Sequence, residues 1–367
     1  SWTLFPTIDP YPNGNQLLAV SGTSGSDVWE VGAAFHKLGS RGYALHWNGS
    51  AWATYPETDP HGHGGQLSGV AAITPNDVWV VGAQYPTERY ASPLAMIEHW
   101  NGSAFSEVTA PPVSGAATVL YGIASFGASD VWAAGGSQTA SGPENSYLVH
   151  WDGTAWKLVS SPNVPNNSTN LVAVAGTSGN DVWAVGDYYG NPSSNYATLA
   201  EHWDGSTWSI VPTPNVSGHS GRLNAVVAIA PSDAWAVGEY VNGTKLAPLT
   251  EHWNGSKWSI VSAPDRKGGS VFLLGVTAIR SNDVWAVGEI GTSSGDVDSY
   301  TLHWDGKAWK VGNSANVHGK AITLLNAVTV VPGAGLWAVG GDANKQIVVD
   351  TVTERLTCSK EGGDLRR

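Results

Sequence analysis

Residues 181–208 read DVWAVGDYYGNPSSNYATLAEHWDGSTW. The run from Asp181 to Gly186 alternates large and small apolar side chains with the two-residue period of a strand, and a second run ending in Glu201-His202-Trp203 does the same. Asp204-Gly205 then supplies the left-handed residues of a tight hairpin before another strand opens at Trp208. The stretch is a β-meander, and it recurs.

Asp-Val-Trp or a close variant falls at Trp29, Trp79, Trp132, Trp183, Trp235, Trp285 and Trp337, spaced by 50, 53, 51, 52, 50 and 52 residues. His-Trp-Asp/Asn-Gly follows at His46, His99, His150, His202, His252 and His303, and a third tryptophan opens the next strand at Trp52, Trp156, Trp208, Trp258 and Trp309. Phe105 stands in once and Trp2 is left over at the N-terminus, so the pattern absorbs all 19 tryptophans. A period near fifty with about four strands and no helical pattern predicts a β-propeller, whose sheets bury both faces against their neighbours. The expected fold is all-β, a seven-bladed propeller of four-stranded blades.

The blades are expected near 16–56, 67–109, 118–160, 170–212, 222–262, 271–312 and 323–357 plus 1–5, followed by a polar tail at 358–367. Within the fourth, strands A to D are placed at 170–176, 181–187, 197–203 and 206–212. Residues 2–5 match the fourth strand of other units, which the last unit lacks, so the N-terminal strand is expected to complete that blade and close the ring. Strand A of every unit carries Ala or Gly followed by Val or Ile, as in Ala173-Val174, which lets seven strands crowd around an axis.

The formal charge of −12 argues against a nucleic-acid or anionic-membrane partner, and no apolar run is long enough to span a bilayer. One cysteine, Cys358, excludes an internal disulfide framework. The first residue is Ser1 rather than methionine, which fits a mature chain after removal of a signal peptide.

Glycine ending strand B, an aromatic late in strand C and tryptophan opening strand D resemble the kelch repeat, with Gly135-Gly136 and Gly340-Gly341 as its doublets. Over residues 1–357 the chain is similar to a family of secreted bacterial proteins that repeat Asp-Val-Trp-Ala-Val-Gly, Glu-His-Trp-Asp-Gly and Trp-x-x-Val-Pro-x-Pro-Asn. That resemblance implies the fold and a secreted location, and it is nearly silent on function. Galactose oxidase has a similar architecture, but its copper site needs a cysteine cross-linked to tyrosine. Here the single cysteine lies in the tail, so that chemistry does not carry over.

Six aspartates, Asp27, Asp77, Asp130, Asp181, Asp233 and Asp283, match the six His-Trp histidines one for one, and both are missing from the last unit, at Gly335 and Arg355. Joint presence and loss predict a structural hydrogen-bond network at the short-turn end, not a shared metal. The long D–A and B–C loops differ from unit to unit, which is where binding belongs on a repeated frame. There His63 and His219 sit four residues before Leu67 and Leu223, and His61-x-His63 lacks a third metal ligand. After Val-Gly, units four to six carry Asp187, Glu239 and Glu289, and unit seven has Asp342 one position later, with Tyr188, Tyr189 and Tyr240 alongside. An arc of these acids beside tyrosine faces suits sugar hydroxyls, or calcium as the one cofactor in view.

The function expected is a secreted, non-catalytic binding protein for a carbohydrate or cell-surface protein on the long-loop face. Two alternatives stay open: an extracellular glycoside hydrolase or lyase using loop carboxylates, and a structural module of a surface assembly.

Overall fold

The computed structural model describes residues 2–36, 39–56, 64–85, 92–190, 195–266, 269–292, 295–315, 321–343 and 349–356. Among the described residues the regular structure is all strand, and no helix is long and apolar enough to cross a membrane. Units one to five each form a separate four-stranded antiparallel sheet in the order A-B-C-D. In unit four the strands are Asn167–Ser178, Asp181–Gly190, Asn195–Trp203 and Trp208–Ile210, so A, B and C run further than the sequence pattern reached and D is shorter. The strands of units six and seven share one eight-stranded sheet through a single parallel bridge, Val297 to Ile322. Its last member is the N-terminal strand: Thr3 pairs with Arg355, Leu4 with Glu354 and Phe5 with Thr353. The tail 358–367, with Cys358, lies outside the described residues.

One backbone irregularity repeats in every unit. The A–B register slips at Leu17/Ala19, Leu67/Gly69, Leu120/Gly122, Leu171/Ala173, Leu223/Ala225, Leu273/Gly275 and Leu325/Ala327, each time just before the small residue of strand A. Such a bulge bends its strand and pushes a carbonyl out of line. In unit four that carbonyl is Asn170 O, and a Cβ on Gly186 would lie 2.0 Å from it; the strand-B glycines of the other six units meet the equivalent oxygen at 1.8–2.0 Å. Only glycine fits there. The small residue of strand A and the glycine of strand B are therefore two halves of one feature. The bulged residues, among them Tyr121, Val172, Asn224 and Asn326, line an axial cavity of about 240 Å³ shared by strand A of all seven units.

The three tryptophans of the repeat meet at the seams between sheets. Trp183 of unit four packs on Trp253 of unit five at 4.9 Å and edge-on against Trp258 at 5.0 Å and 84°. The same clamp joins Trp132 to Trp203 and Trp208, Trp79 to Trp151 and Trp156, and Trp235 to Trp304 and Trp309. Trp2 meets Trp285 as the missing fourth-strand tryptophan of unit seven, and Trp52 meets Trp337. Each buried aromatic pair contributes roughly 0.5–1.5 kcal/mol beyond the area it hides. Seven hydrophobic clusters result, each drawing on two units, and one of them combines Leu17, Val20 and Leu45 with Val331, Trp337 and Val339.

The Asp–His pairs form as expected: Nε2 of each histidine lies 2.7–2.9 Å from Oδ1 of the aspartate opening strand B of its own unit. Each imidazole also lies over the strand-B tryptophan, at 4.2–4.5 Å between ring centroids. Burial would raise the Asp27 carboxyl, but bonds from His46 and Thr23 outweigh it and hold it below its ordinary value. In unit seven Arg355 takes the histidine's place, 4.4 Å over Trp337 and 4.7 Å over Phe5, keeping the stack without the acid. The C–D turn differs from expectation, because only Gly205 is left-handed (φ +92°). Asp204 instead accepts from the N–H groups of Ser206 and Thr207 and from the Ser206 hydroxyl, so the loop has four residues.

Beneath the histidines lies a second set of acids. The glutamate of Glu-His-Trp is buried in a seam at Glu98, Glu201 and Glu251, and so is its counterpart before Arg355, Glu354, each at most 1% exposed. Unit one carries it one strand over: Glu30 faces Leu45 where unit four has Ala184 facing Glu201. Burial pushes Glu201 up to about 7, and Glu30 and Glu251 up to about 8.

Deleting residues 1–7 removes buried Trp2 and bares the edge of strand Val349–Leu356, so urea unfolding should show a loss of at least about 3 kcal/mol; an unchanged midpoint would make the strand dispensable. The buried glutamates keep their protons to higher pH in the folded than in the unfolded chain, so their contribution is complete below the ordinary carboxyl value of 4.5 and is lost as pH rises towards about 8. The melting temperature should fall between pH 5 and pH 8, and Glu30→Gln should flatten that slope; a wild-type curve rising over this range would contradict it.

Candidate functional site

Two cavities lie at the long-loop ends of units three to five. Asp187 lies on strand B of unit four, paired with Asn170 and Thr198, and strand alternation turns it, with Tyr189, towards unit five. Tyr188 points the other way, packs into the core between units three and four, and lines a separate cavity. Facing Asp187 is Arg222 of strand A in unit five, with Nε 3.9 Å from Oδ1, too far for a tight ion pair. The Arg222 guanidinium instead sits 3.5 Å over the Tyr196 ring, and Tyr196 packs against Tyr189 at 4.9 Å. Tyr189 is 40% exposed, so an aromatic face remains open to solvent.

Two cavities share Tyr196 as a wall. One, about 260 Å³, is lined by Glu144, Ser168, Asn170, Asp187, Tyr189 and Arg222. The other, about 500 Å³, lies between the D–A loops on either side of unit four and is lined by Tyr188, Asn195, Asn215, Val216 and His219 among others. His219 also touches the edge of Tyr240 at 5.9 Å. His63 falls outside the described residues.

Burial pushes the Asp187 carboxyl up to about 6, although Arg222 pulls it down. Glu239 is pushed up to about 7, chiefly by burial; Asn224, which donates to it at 2.6 Å, and Arg222 oppose this, while Asp187 and Glu289 add to it. Burial raises Glu289 as well. Glu239 thus feels both Asp187 and Glu289, which hold the equivalent positions of the units on either side of it. Asp342 does not join them in the same way. The strand around it keeps a regular register, so the extra residue turns it to the opposite face from the position equivalent to Asp187.

Unit three supplies an acid that the motif reading missed. Its position after the first strand-B glycine is Gly136, and a Cβ there would come within 2.3 Å of Glu144 Oε1, so a carboxylate from strand C fills the space. Burial and the charge of Asp187 both raise Glu144. The signal was a second glycine facing a strand that opens with an acid, legible only once the B–C register is known. Arg222 was missed because its position in strand A holds no repeated residue type. Among the described residues, no group of three or more His, Cys, Asp or Glu side chains is placed to hold a metal ion.

The one cation of this cluster makes a testable electrostatic statement. Replacing Arg222 with Met should raise Asp187 above about 6 and Glu239 above about 7, measured by NMR titration of the carboxyl carbons. Unmoved values would mean that the guanidinium is too well solvated to matter.

No model of a known protein family matches the chain, and no curated protein matches it. Solved structures do. The chain is similar to YCF48 bound to D1 peptide, at 14% identity over 98% of this chain and 95% of that one, with a TM-score of 0.58. It is similar to the PL25 ulvan lyase bound to -[GlcA(1-4)Rha3S]-, at 8% identity over 89% of each chain and a TM-score of 0.55. The SapL1 lectin in complex with alpha methyl fucoside matches at 16% identity over 82% of this chain and 96% of the lectin, with a TM-score of 0.50. At such identities the likeness concerns the fold alone: the chain is an all-β protein of the β-propeller type.

Proposed function

We propose that the chain is a seven-bladed, kelch-like propeller, closed through its N-terminal strand, and that it works outside the cell as a non-catalytic carbohydrate-binding protein. Closure is supported by the pairing of residues 3–5 with 353–355, by the cluster shared between the first and last units, and by the bond from Asn326 Nδ2 to Leu17 O at 2.7 Å. Such a ring leaves no open sheet edge at its seam.

The observation that carries the binding reading is the Tyr189–Tyr196 face beside Arg222, Asp187 and Glu144 in one cavity. A pyranose ring offers apolar C–H faces and hydroxyls that both donate and accept, and this site offers an aromatic face, two acceptor carboxylates and a planar donor. The two cavities meeting at Tyr196 favour a chain of sugars over a single unit. Because the carboxylates outnumber the single guanidinium, a neutral or amine-bearing glycan suits the site better than a polyuronate. The lectin and lyase among the similar structures agree with a carbohydrate role without specifying it.

The alternative, a glycan hydrolase or lyase, draws support from Asp187 and Glu239, whose carboxyls are pushed up to about 6 and about 7, the range a general acid needs. A glycan array run beside a reducing-end assay separates the readings. Retention without new ends supports binding, release of ends supports the enzyme, and neither result would leave a structural module of a surface assembly. For the binding reading, Tyr189→Ala and Asp187→Asn are each expected to lower retention about tenfold, in the range of a lost stacking face or charged hydrogen bond. Full retention by both variants would move the site elsewhere on the loops.

A further inference from the structure

The seam glutamates do not all have partners, and the exception adjoins the larger cavity. Between units three and four, Ser146 Oγ donates to Glu201 Oε1 at 3.3 Å and Ser161 Oγ donates to Oε2. Between units six and seven, Ser314 Oγ donates to both oxygens of Glu354, at 3.1 and 3.2 Å, and the Ala315 N–H adds a third bond at 3.1 Å. Ser146 lies four residues before the histidine in strand C of the preceding unit, and Ser161 and Ser314 each lie five residues after the tryptophan that opens strand D; in unit six the first of these places holds Ser299, which bonds Ser314. Between units four and five those places hold Thr198 and Thr213.

There the hydroxyls are engaged elsewhere. Thr213 Oγ1 donates to Thr198 O at 2.9 Å. Thr198 Oγ1 lies 2.8 Å from Thr213 Oγ1 and 3.2 Å from Asn215 Oδ1. Each hydroxyl has one proton, so neither has one left for a carboxylate. Glu251, wholly buried, accepts no hydrogen bond from any described residue through either oxygen. Asn215 also accepts from the Thr198 N–H at 2.9 Å, and Asn215 and Val216 line the larger cavity.

We propose that Glu251 is a proton-operated switch beneath the wall of the larger cavity: its neutral carboxyl leaves Thr198 and Thr213 to pin residues 213–216, and its ionisation draws both hydroxyls away and releases that wall. The carboxyl gives its proton to solvent. Thr213 then donates to one carboxylate oxygen and Thr198 to the other, as Ser161 and Ser146 do for Glu201, and the bonds to Thr198 O and Asn215 Oδ1 are lost. Strand alternation turns Asp181, Asp187, Tyr196 and His202 of unit four and Tyr240 of unit five towards this seam, and Arg222 over Tyr196 and His219 against Tyr240 stand at its long-loop end. None of them contributes to the raised position of Glu251, for which burial is the sole cause, so the switch answers to its own proton. Its bearing on ligand binding rests on the carbohydrate reading above; the movement itself does not.

The test is ligand-free hydrogen–deuterium exchange of the segment 211–219, corrected for intrinsic rates, at pH 6 to 9 in the wild type and in Glu251→Gln. The neutral fraction of a group titrating near 8 falls about tenfold between pH 7 and pH 9. Wild-type protection should fall by a comparable factor, while Glu251→Gln should stay flat. If that variant does not fold, Thr198→Val with Thr213→Val replaces it, and this pair should show low protection at every pH. A wild-type profile without a step, or a step that survives in any folded variant, would overturn the proposal. A blank glycan array beside a step confined to the wild type would sink the carbohydrate reading and leave the switch standing.

Discussion

A carbonyl oxygen occupies the place where a side chain would stand, and each sheet is built around that intrusion. The strand-A bulge turns the oxygen of the residue before Leu towards strand B, and strand B can pass only because glycine has no Cβ. Bending strand A at that point also brings its small residue to the axis, where strand A of the next unit approaches closely: a Cβ on Gly122 would lie 2.9 Å from Ala173 Cα. Any larger residue at either place would push two units apart, and the effect would pass to every seam further out.

Those seams do most of the holding. A two-faced sheet has no interior of its own, so each unit buries its apolar faces only by lending strand-B tryptophan to the next unit's tryptophans. Histidine serves this arrangement indirectly: bonded to aspartate on one edge, it presents a flat ring to the tryptophan from its own sheet. Unit seven keeps the stack without the aspartate by laying the Arg355 guanidinium over Trp337 in the histidine's place.

What the sequence made legible follows from repetition. Trp183 and its six counterparts, the Asp181–His202 pair and the odd strand at Thr3–Phe5 announce themselves by recurring or by failing to recur, and each lies where the spacing put it. Geometry that hangs on a single residue's offset was not legible. Asp342 looks like a late copy of Asp187, yet one extra residue in a strand of period two reverses its face. Glu144 looks like part of a loop, and only the register over Gly136 brings it to the site. The seam glutamates were hidden in plain view beside the histidines. An acid in a repeat reads as surface until both of its neighbours are known to be walls.

The bulge has one more consequence. Because each strand A releases one residue from pairing at the same height, the axis is lined by a row of side chains that no hydrogen-bond ladder constrains: leucine, serine, tyrosine, valine, asparagine, leucine and asparagine in chain order, from Leu18 to Asn326. Their backbone setting is common to all, but two of them tie neighbouring units together: Asn224 Nδ2 donates to Leu273 O and Asn326 Nδ2 to Leu17 O. The frame thus carries a seven-character inscription at its centre in which two letters, both asparagine, are held by the neighbouring unit, while tryptophan, glycine and histidine around it stay fixed by packing.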